Sequence, residues 1–559
     1  MINDKRPWLI LTLVVSLLYG LLGLQEAFQG DWIVQDDARQ HIFWMARYLD
    51  PELFPDDLIA DYFESVAPFG YSFLYSFAAK LGIDPFIFNK LIPIVLRLIT
   101  TYYFFLFCWE IFPLPLGCTI TTLLLNHNLW LKDDIISATP RAFLYPFLIA
   151  FLYYFIKRSL FFCLVIIVLL GLFYPQTVFI IAIILILNLI KWQKFRPHLT
   201  SNKTEQYFCL ISLAVAFLVL LPYAISTSIY EPIITRSQAI MMPEFHNGGR
   251  SNFFKDNFFD YFLGKGNGVM ISTSLFNPII LLSSLFFPVI VQRRNTFSLV
   301  GKITPHLASV INLAIASLIM FFFAHLFLFK LHLPSRYTAH SLKFVVVIFA
   351  GITITVTLKY YLEQINKKFP LKRRKIVVAL IILLLTLLTY NSFLDSVSPN
   401  GYKIGSYPEL YKFFQQQPKD IVIASLTKEA DNLPTFTKRS ILVSREYAIP
   451  YHLGYYQPFS AKAKALIKAQ YSNNLAEVKQ FIEQYKVTFW LIEEDSFSLE
   501  YFSKNRWLRQ YKPEQQNAIA NLEQNIKPIV AASQDTCQVF ATANFKVIET
   551  QCLVNFVSD

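Results

Sequence analysis

Two adjacent carboxylates stand just beyond the first apolar segment, in the stretch Gln35-Asp36-Asp37-Ala38-Arg39-Gln40-His41. Carboxylates beside a membrane are costly to desolvate unless a cation, a metal or a substrate answers them. If residues 36–44 are helical, Asp37 and His41 share a face at i,i+4, and Asp36 can pair with Arg39 at i,i+3. A carboxylate so placed could take the proton of an acceptor hydroxyl, and a like-charged neighbour would raise its pKa toward working pH. The plainer alternative is a helix cap on a solvated loop. A second acidic pair, Asp133-Asp134, which could equally cap a helix N-terminus, is followed after Pro140 by Arg141, whose guanidinium either binds a phosphate or snorkels to the interface. A divalent metal between Asp37 and Asp133 is permitted by these acids and not required by them. In His332-Leu333-Pro334-Ser335-Arg336-Tyr337, Arg336 lies where a lipid phosphate would sit, and a cation there meets the charge on a departing phosphate; the competing reading is an aromatic-belt anchor at the interface. The long loop 227–268 adds Glu244 and His246 as acceptor contacts and Arg250 as a further cation. His325 lies inside an apolar run. That makes it either a functional candidate or a residue satisfied by one hydrogen bond to a neighbouring helix.

These groups need a membrane to position them. Of the 559 residues, 55% are hydrophobic and only 16% charged, against about 25% in soluble domains, and apolar runs near membrane-spanning length recur. This is the pattern of a polytopic α-helical membrane protein. The net charge of +12 is spread over short basic clusters between apolar runs, where it sets topology rather than binding nucleic acid. Lys5-Arg6 before the first run places the N-terminus in the cytoplasm, and residues 25–65 form an external acidic loop. Keeping Lys157-Arg158 and Lys191 to Arg196 on the cytoplasmic side requires that one early apolar stretch not cross. The short stretch 66–82, with its Gly, Tyr and Lys80, is the one expected to be re-entrant or interfacial. Residues 160–190 break at Tyr174-Pro175-Gln176 into two short helices. Later helices are expected at 207–226, 270–291, 307–328, 339–358 and 376–394. About eleven crossings result, with Asp36-Asp37, Asp133-Asp134, the 227–268 loop, Arg336 and everything after Asp395 outside. The chain thus divides into a membrane domain, 1–395, and an extracytoplasmic α/β domain, 396–559, the latter from strand-like runs at 420–424, 440–444 and 487–492 alternating with helical patterns. Cys537 and Cys552 fall in that second domain and could form a disulfide if it faces an oxidising compartment.

On these residues the chain resembles the GT-C glycosyltransferases, in particular the branch of protein O-mannosyltransferases and the aminoarabinose transferase of lipid A. The resemblance rests on Asp36-Asp37 after the first helix and on Pro68-Phe69-Gly70-Tyr71-Ser72-Phe73-Leu74-Tyr75 opening the next apolar stretch. Gly82, Arg97, Asp133-Asp134 and the C-terminal external domain also carry it. It implies an inner-membrane enzyme that moves a sugar, with inversion, from a polyprenyl-phosphate-linked donor to a hydroxyl of a glycan, lipid or protein acceptor. Asp36 or Asp37 would be the base. Arg336, with Arg141 or Arg250, would hold the departing phosphate, and Arg39, His41 and His332 would line the substrate site. Two alternatives are a membrane polysaccharide polymerase or ligase relying on arginines and histidine, and a transporter or scaffold without catalysis. A nucleotide-sugar donor is disfavoured, because no Gly-rich phosphate loop follows a cytoplasmic strand.

Overall fold

A computed structural model describes residues 4–193, 196–225, 228–264, 266–270, 275–368, 370, 380 and 401–556. Among these residues five helices are long and apolar enough to cross a membrane: Arg6–Ala27, Pro85–Ile111, Lys203–Ile225, Leu307–Leu326 and Ser335–Lys367. Shorter apolar helices pack among them, and the chain is an integral membrane protein. The expected helix at 376–394 and most of the basic loop before it lie outside the described residues.

Local sequence explains the shorter elements. The helix Phe69–Lys80 has 12 residues, about 18 Å at 1.5 Å per residue, too little for a hydrocarbon core of roughly 30 Å. It lies against the helix Leu160–Phe173, and a Cβ on Gly70 would stand 2.9 Å from Phe173 and 3.0 Å from the Leu172 carbonyl oxygen. Glycine is what lets this stretch approach so closely. Pro175 separates Leu160–Phe173 from Gln176–Leu189, each of 14 residues. The helix expected over 270–291 is instead 3₁₀ turns at Ile279–Phe286 running into Phe287–Gln292. Pro278 and Pro288 interrupt the backbone donors that a continuous helix there would need. The last described apolar helix is longer than expected, because Ser335–Thr338 leads into Ser341–Lys368 almost without a break.

The two basic clusters that set the expected topology do meet. Arg158 and Lys191 share the Glu205 carboxylate, at 2.7 and 3.2 Å, and Lys157 pairs with Glu110 at 2.6 Å. On the acidic side, short helices fill the first loop: Ala38–His41, a 3₁₀ segment Phe43–Tyr48 and Leu58–Ser65. Its strand Ile33–Gln35 pairs antiparallel with Tyr402–Ile404. The loop after the Lys203–Ile225 helix bridges to the same region through Ile233 and His452.

Residues 401–556 build a five-stranded mixed sheet. Its order is Ser440–Ile441, Val422–Ser425, Phe489–Glu493, Phe545–Glu549, Gln538–Ala541. The first three strands run parallel and the last two pair antiparallel. Helices Leu453–Gln470 and Leu475–Tyr485 lie between strands in sequence, as the alternating pattern predicts. Cys537 and Cys552 are joined in a disulfide.

Candidate active site

The first loop is pinned before its acids are presented. The backbone N–H of Asp36 donates to the Gly401 carbonyl at 3.0 Å. The Gln35 side-chain oxygen accepts from the N–H groups of Asp37 and Ala38 at 2.9 and 3.2 Å, so it satisfies free donors at the start of the Ala38–His41 turn. Gly401 has φ +68°, and a Cβ there would stand 3.3 Å from the Gln35 amide nitrogen and 3.5 Å from Asp133. Only a residue at ease in the left-handed region fits this junction. The second acidic segment is held from below. Asn89 donates to the Ser137 carbonyl at 2.9 Å and Tyr75 to the Ala138 carbonyl at 3.1 Å. Tyr75 closes the Pro68–Tyr75 stretch, which therefore serves to position Asp133 and Arg141.

These supports bring the two acidic pairs together, nearly a hundred residues apart in sequence. One Arg141 nitrogen, Nη2, contacts Asp37 Oδ2 and, at 2.9 Å, Asp133 Oδ2. Both carboxylates keep about a third of their side-chain surface open to solvent. Burial opposes the charge on Asp37, but Arg141, His41 and Arg336 outweigh it and hold the carboxyl below the usual range. Asp37 is therefore ionised at neutral pH and able to receive a proton; the rise toward working pH expected from a like-charged neighbour does not occur, because these cations outweigh it. Arg336 faces the same group, and its side chain makes no hydrogen bond or ion pair among the described residues.

Burial pushes His41 down to about 4, with Asp37 opposing and Arg141 and Arg336 assisting. A folded-state pKa below the ordinary value of 6.5 means that acid favours the unfolded chain, which takes a proton the folded chain refuses. The stability held in neutral His41 is complete above about pH 6.5 and drains away as the pH falls toward 4. Thermal unfolding of a His41→Gln variant, compared with the parent across that window, is expected to show a shallower acid slope.

Asp134 turns inward. Its carboxylate contacts Lys343 Nζ and accepts from the Tyr145 hydroxyl at 2.7 Å, while His340 Nδ1 lies 2.8 Å from that hydroxyl. Lys343, Tyr145 and His340 were not singled out from the sequence. An ionisable residue inside the apolar run 342–352 was the available signal for Lys343, since such residues are paired or functional by default.

Other candidates are committed elsewhere. Asp36 faces away from Asp37's partners, toward Arg39 and, at 3.5 Å, Lys403. Arg39 is buried and donates to Asn432 at 2.8 Å, with Glu446 at 3.7 Å. It ties the loop to residues 401–556 and presents no free guanidinium to a phosphate. Arg250 is likewise consumed by the Arg445 and Glu446 carbonyls and the Glu446 carboxylate, at 2.9, 3.2 and 3.3 Å. Glu244 is buried and accepts from Tyr456 at 2.7 Å. His246 Nε2 lies 2.7 Å from the Ile240 carbonyl. His332 is close to Arg336 but is pushed down to about 3 by burial, then by Arg336 and His452, so at neutral pH it brings no positive charge. His325 is satisfied by the Asn267 carbonyl at 3.0 Å.

Among the described residues no three His, Cys, Asp or Glu side chains are grouped to hold a metal ion. Between Asp37 and Asp133, where a metal would bridge, the Arg141 guanidinium already stands, answering both carboxylates with one positive charge in the place a divalent cation would take. Treatment with EDTA is accordingly expected to leave activity unchanged. Inactivation by EDTA with recovery on adding Mg²⁺ or Mn²⁺ would show that a second cation is needed between these carboxylates.

No family model matches the chain, and no curated protein matches it by sequence. Solved structures do match. One is the archaeal oligosaccharyltransferase AglB from Archaeoglobus fulgidus in complex with an inhibitory peptide and a dolichol-phosphate, at 11% identity and a TM-score of 0.55, covering 90% of this chain and 72% of that one. The same organism's oligosaccharyltransferase in its apo form matches at 12% identity and a TM-score of 0.50, over 90% of this chain and 72% of that one. A form tethered to an acceptor peptide with an NVT sequon matches at 12% and 0.50, over 91% and 72%. At this identity the likeness shows that the chain shares the fold of these oligosaccharyltransferases. The resemblance read from the sequence is matched at the level of the fold.

Proposed function

We propose that this protein is a membrane glycosyltransferase that moves a sugar from a polyprenyl-phosphate-linked donor to an acceptor hydroxyl on the extracytoplasmic face. The observation that carries this reading is the meeting of Asp37 and Asp133 on Arg141, with Arg336 within electrostatic reach of Asp37 and in no ion pair among the described residues. An ionised carboxylate and an unneutralised cation at one site suit a displacement in which a hydroxyl loses a proton and a phosphate departs with its charge. The matched AglB binds a dolichol-phosphate, which supports a lipid-phosphate leaving group here.

Asp37 takes the acceptor proton as the acceptor oxygen attacks the anomeric carbon, and the bond from that carbon to the phosphate oxygen breaks with inversion. Arg336 meets the second negative charge that appears on the polyprenyl phosphate. Arg141 holds Asp37 ionised and fixes its angle against Asp133. The disulfide agrees with an external setting for residues 401–556, because such bonds persist in oxidising compartments.

The test is reconstitution in nanodiscs with radiolabelled polyprenyl-phosphate hexoses and pentoses, scoring release of the polyprenyl phosphate. Donor-dependent release that is lost in Arg336→Ala supports the reading. Failure to turn over any of the donors, with or without membrane extract as acceptor, refutes it.

A further inference from the structure

Among the described residues, the hydrogen-bonded group of Asp134, Tyr145 and His340 leaves His340 Nε2 buried without a partner, and its hydrogen bonds determine what that atom can do. An ionised carboxylate only accepts. The 2.7 Å contact between Tyr145 and Asp134 Oδ2 must therefore use the tyrosine hydrogen. That leaves the tyrosine oxygen as acceptor for the 2.8 Å contact to His340, and the hydrogen in it can come only from His340 Nδ1. In the neutral ring Nε2 is then a bare acceptor. His340 is 4% exposed, and Nε2 has no hydrogen-bond partner among the described residues. Buried polar atoms are nearly always satisfied, and the exceptions call for an explanation.

The position of the ring supplies one. His340 follows Arg336 by four residues, which puts both on one face of the helical stretch that begins at Ser335, and it lies within electrostatic reach of Arg336 and Arg141. With Nδ1 turned toward Tyr145 and Asp134, the opposite edge of the ring carries Nε2. A phosphate oxygen would be repelled by that lone pair, whereas a hydroxyl hydrogen would satisfy it. We propose that His340 Nε2 is a binding atom for a hydroxyl of the donor sugar, and that Asp134 and Tyr145 are positioning residues that keep the proton on Nδ1. This rests on the glycosyltransferase reading and extends it to the sugar.

The experiment is ¹⁵N NMR of histidine-labelled protein in nanodiscs, with the His340 signals assigned by their loss in His340→Gln. The expected parent spectrum shows a protonated Nδ1 and an unprotonated Nε2. The Nε2 signal should move on adding at least one of a panel of polyprenyl-phosphate hexoses and pentoses. Tyr145→Phe keeps the Asp134–Lys343 pair and releases the tautomer, so protonated Nε2 should appear. In turnover, KM for a donor lacking the recognised hydroxyl should rise about tenfold in the parent, the worth of one hydrogen bond, and that penalty should vanish in His340→Ala. A protonated Nε2 in the parent, or an Nε2 unmoved by every member of the panel, overturns the inference. An Nε2 that moves without turnover supports the site and sinks only the transfer reaction.

Discussion

Asp37→Asn is expected to abolish transfer, lowering kcat by roughly 10²–10⁴, the usual worth of a positioned general base. The fold should survive. The Asp37 side chain is about one-third exposed, and Arg141 keeps its 2.9 Å contact with Asp133. Asp36→Asn is the control that makes the result specific. Asp36 has the same chemistry one residue away but is spent on Arg39 and Lys403, so its loss should loosen the loop and cost far less in rate. Single-turnover release of labelled sugar from a polyprenyl-phosphate donor, with unfolding midpoints measured alongside, separates the two. Activity surviving in both variants would favour a polymerase or ligase that relies on its arginines and histidine.

Lys343→Met is expected to destabilise the protein by about 3–5 kcal/mol, the cost of stranding one member of a buried ion pair. The side chain of Lys343 is fully buried and that of Asp134 is 9% exposed. Burial opposes the Asp134 charge and Lys343 outweighs it, holding the carboxyl well below the usual range. Removing the ammonium takes away the closest cation and leaves the Tyr145 hydroxyl as the short hydrogen-bond donor to that carboxylate among the described residues. Asp134→Asn should do comparable damage from the other side. The double variant should cost clearly less than the sum, because no charge is then left unanswered. Unfolding in mixed micelles reads all three, and single-variant losses below about 1 kcal/mol, the range of an exposed pair, would contradict the burial described.

Hydropathy and the placement of basic clusters predict Asp37, Asp133 and Arg336 on one face of the membrane; that Asp37 and Asp133 share Arg141 is seen only in the structure. Keeping Lys157-Arg158 and Lys191 on the cytoplasmic side by the positive-inside rule puts the acids on the other side. Arg158 and Lys191 do share Glu205. The partner of each charged residue could not be read in the same way. Gln40 meets Glu446 across 406 positions and Arg39 meets Asn432 across 393. No local spacing announces that Arg39 and Arg250 will be consumed there. Arg141 was read as a phosphate ligand, since a guanidinium suits phosphate and carboxylate alike; its neighbours in space decide between them. The continuous helix expected over 270–291 failed for a local reason, Pro278 and Pro288, that apolar content had masked. His340 and Lys343 were hidden inside an apolar run whose helical character was the stronger signal.

The pairing of Ile33–Gln35 with Tyr402–Ile404 makes the carboxylate-bearing turn and the sheet region a single mechanical unit. A chain cut short before Gly401 would lose the brace that aims Asp37, so separately expressed membrane and sheet halves should regain function only where that two-stranded ribbon can re-form.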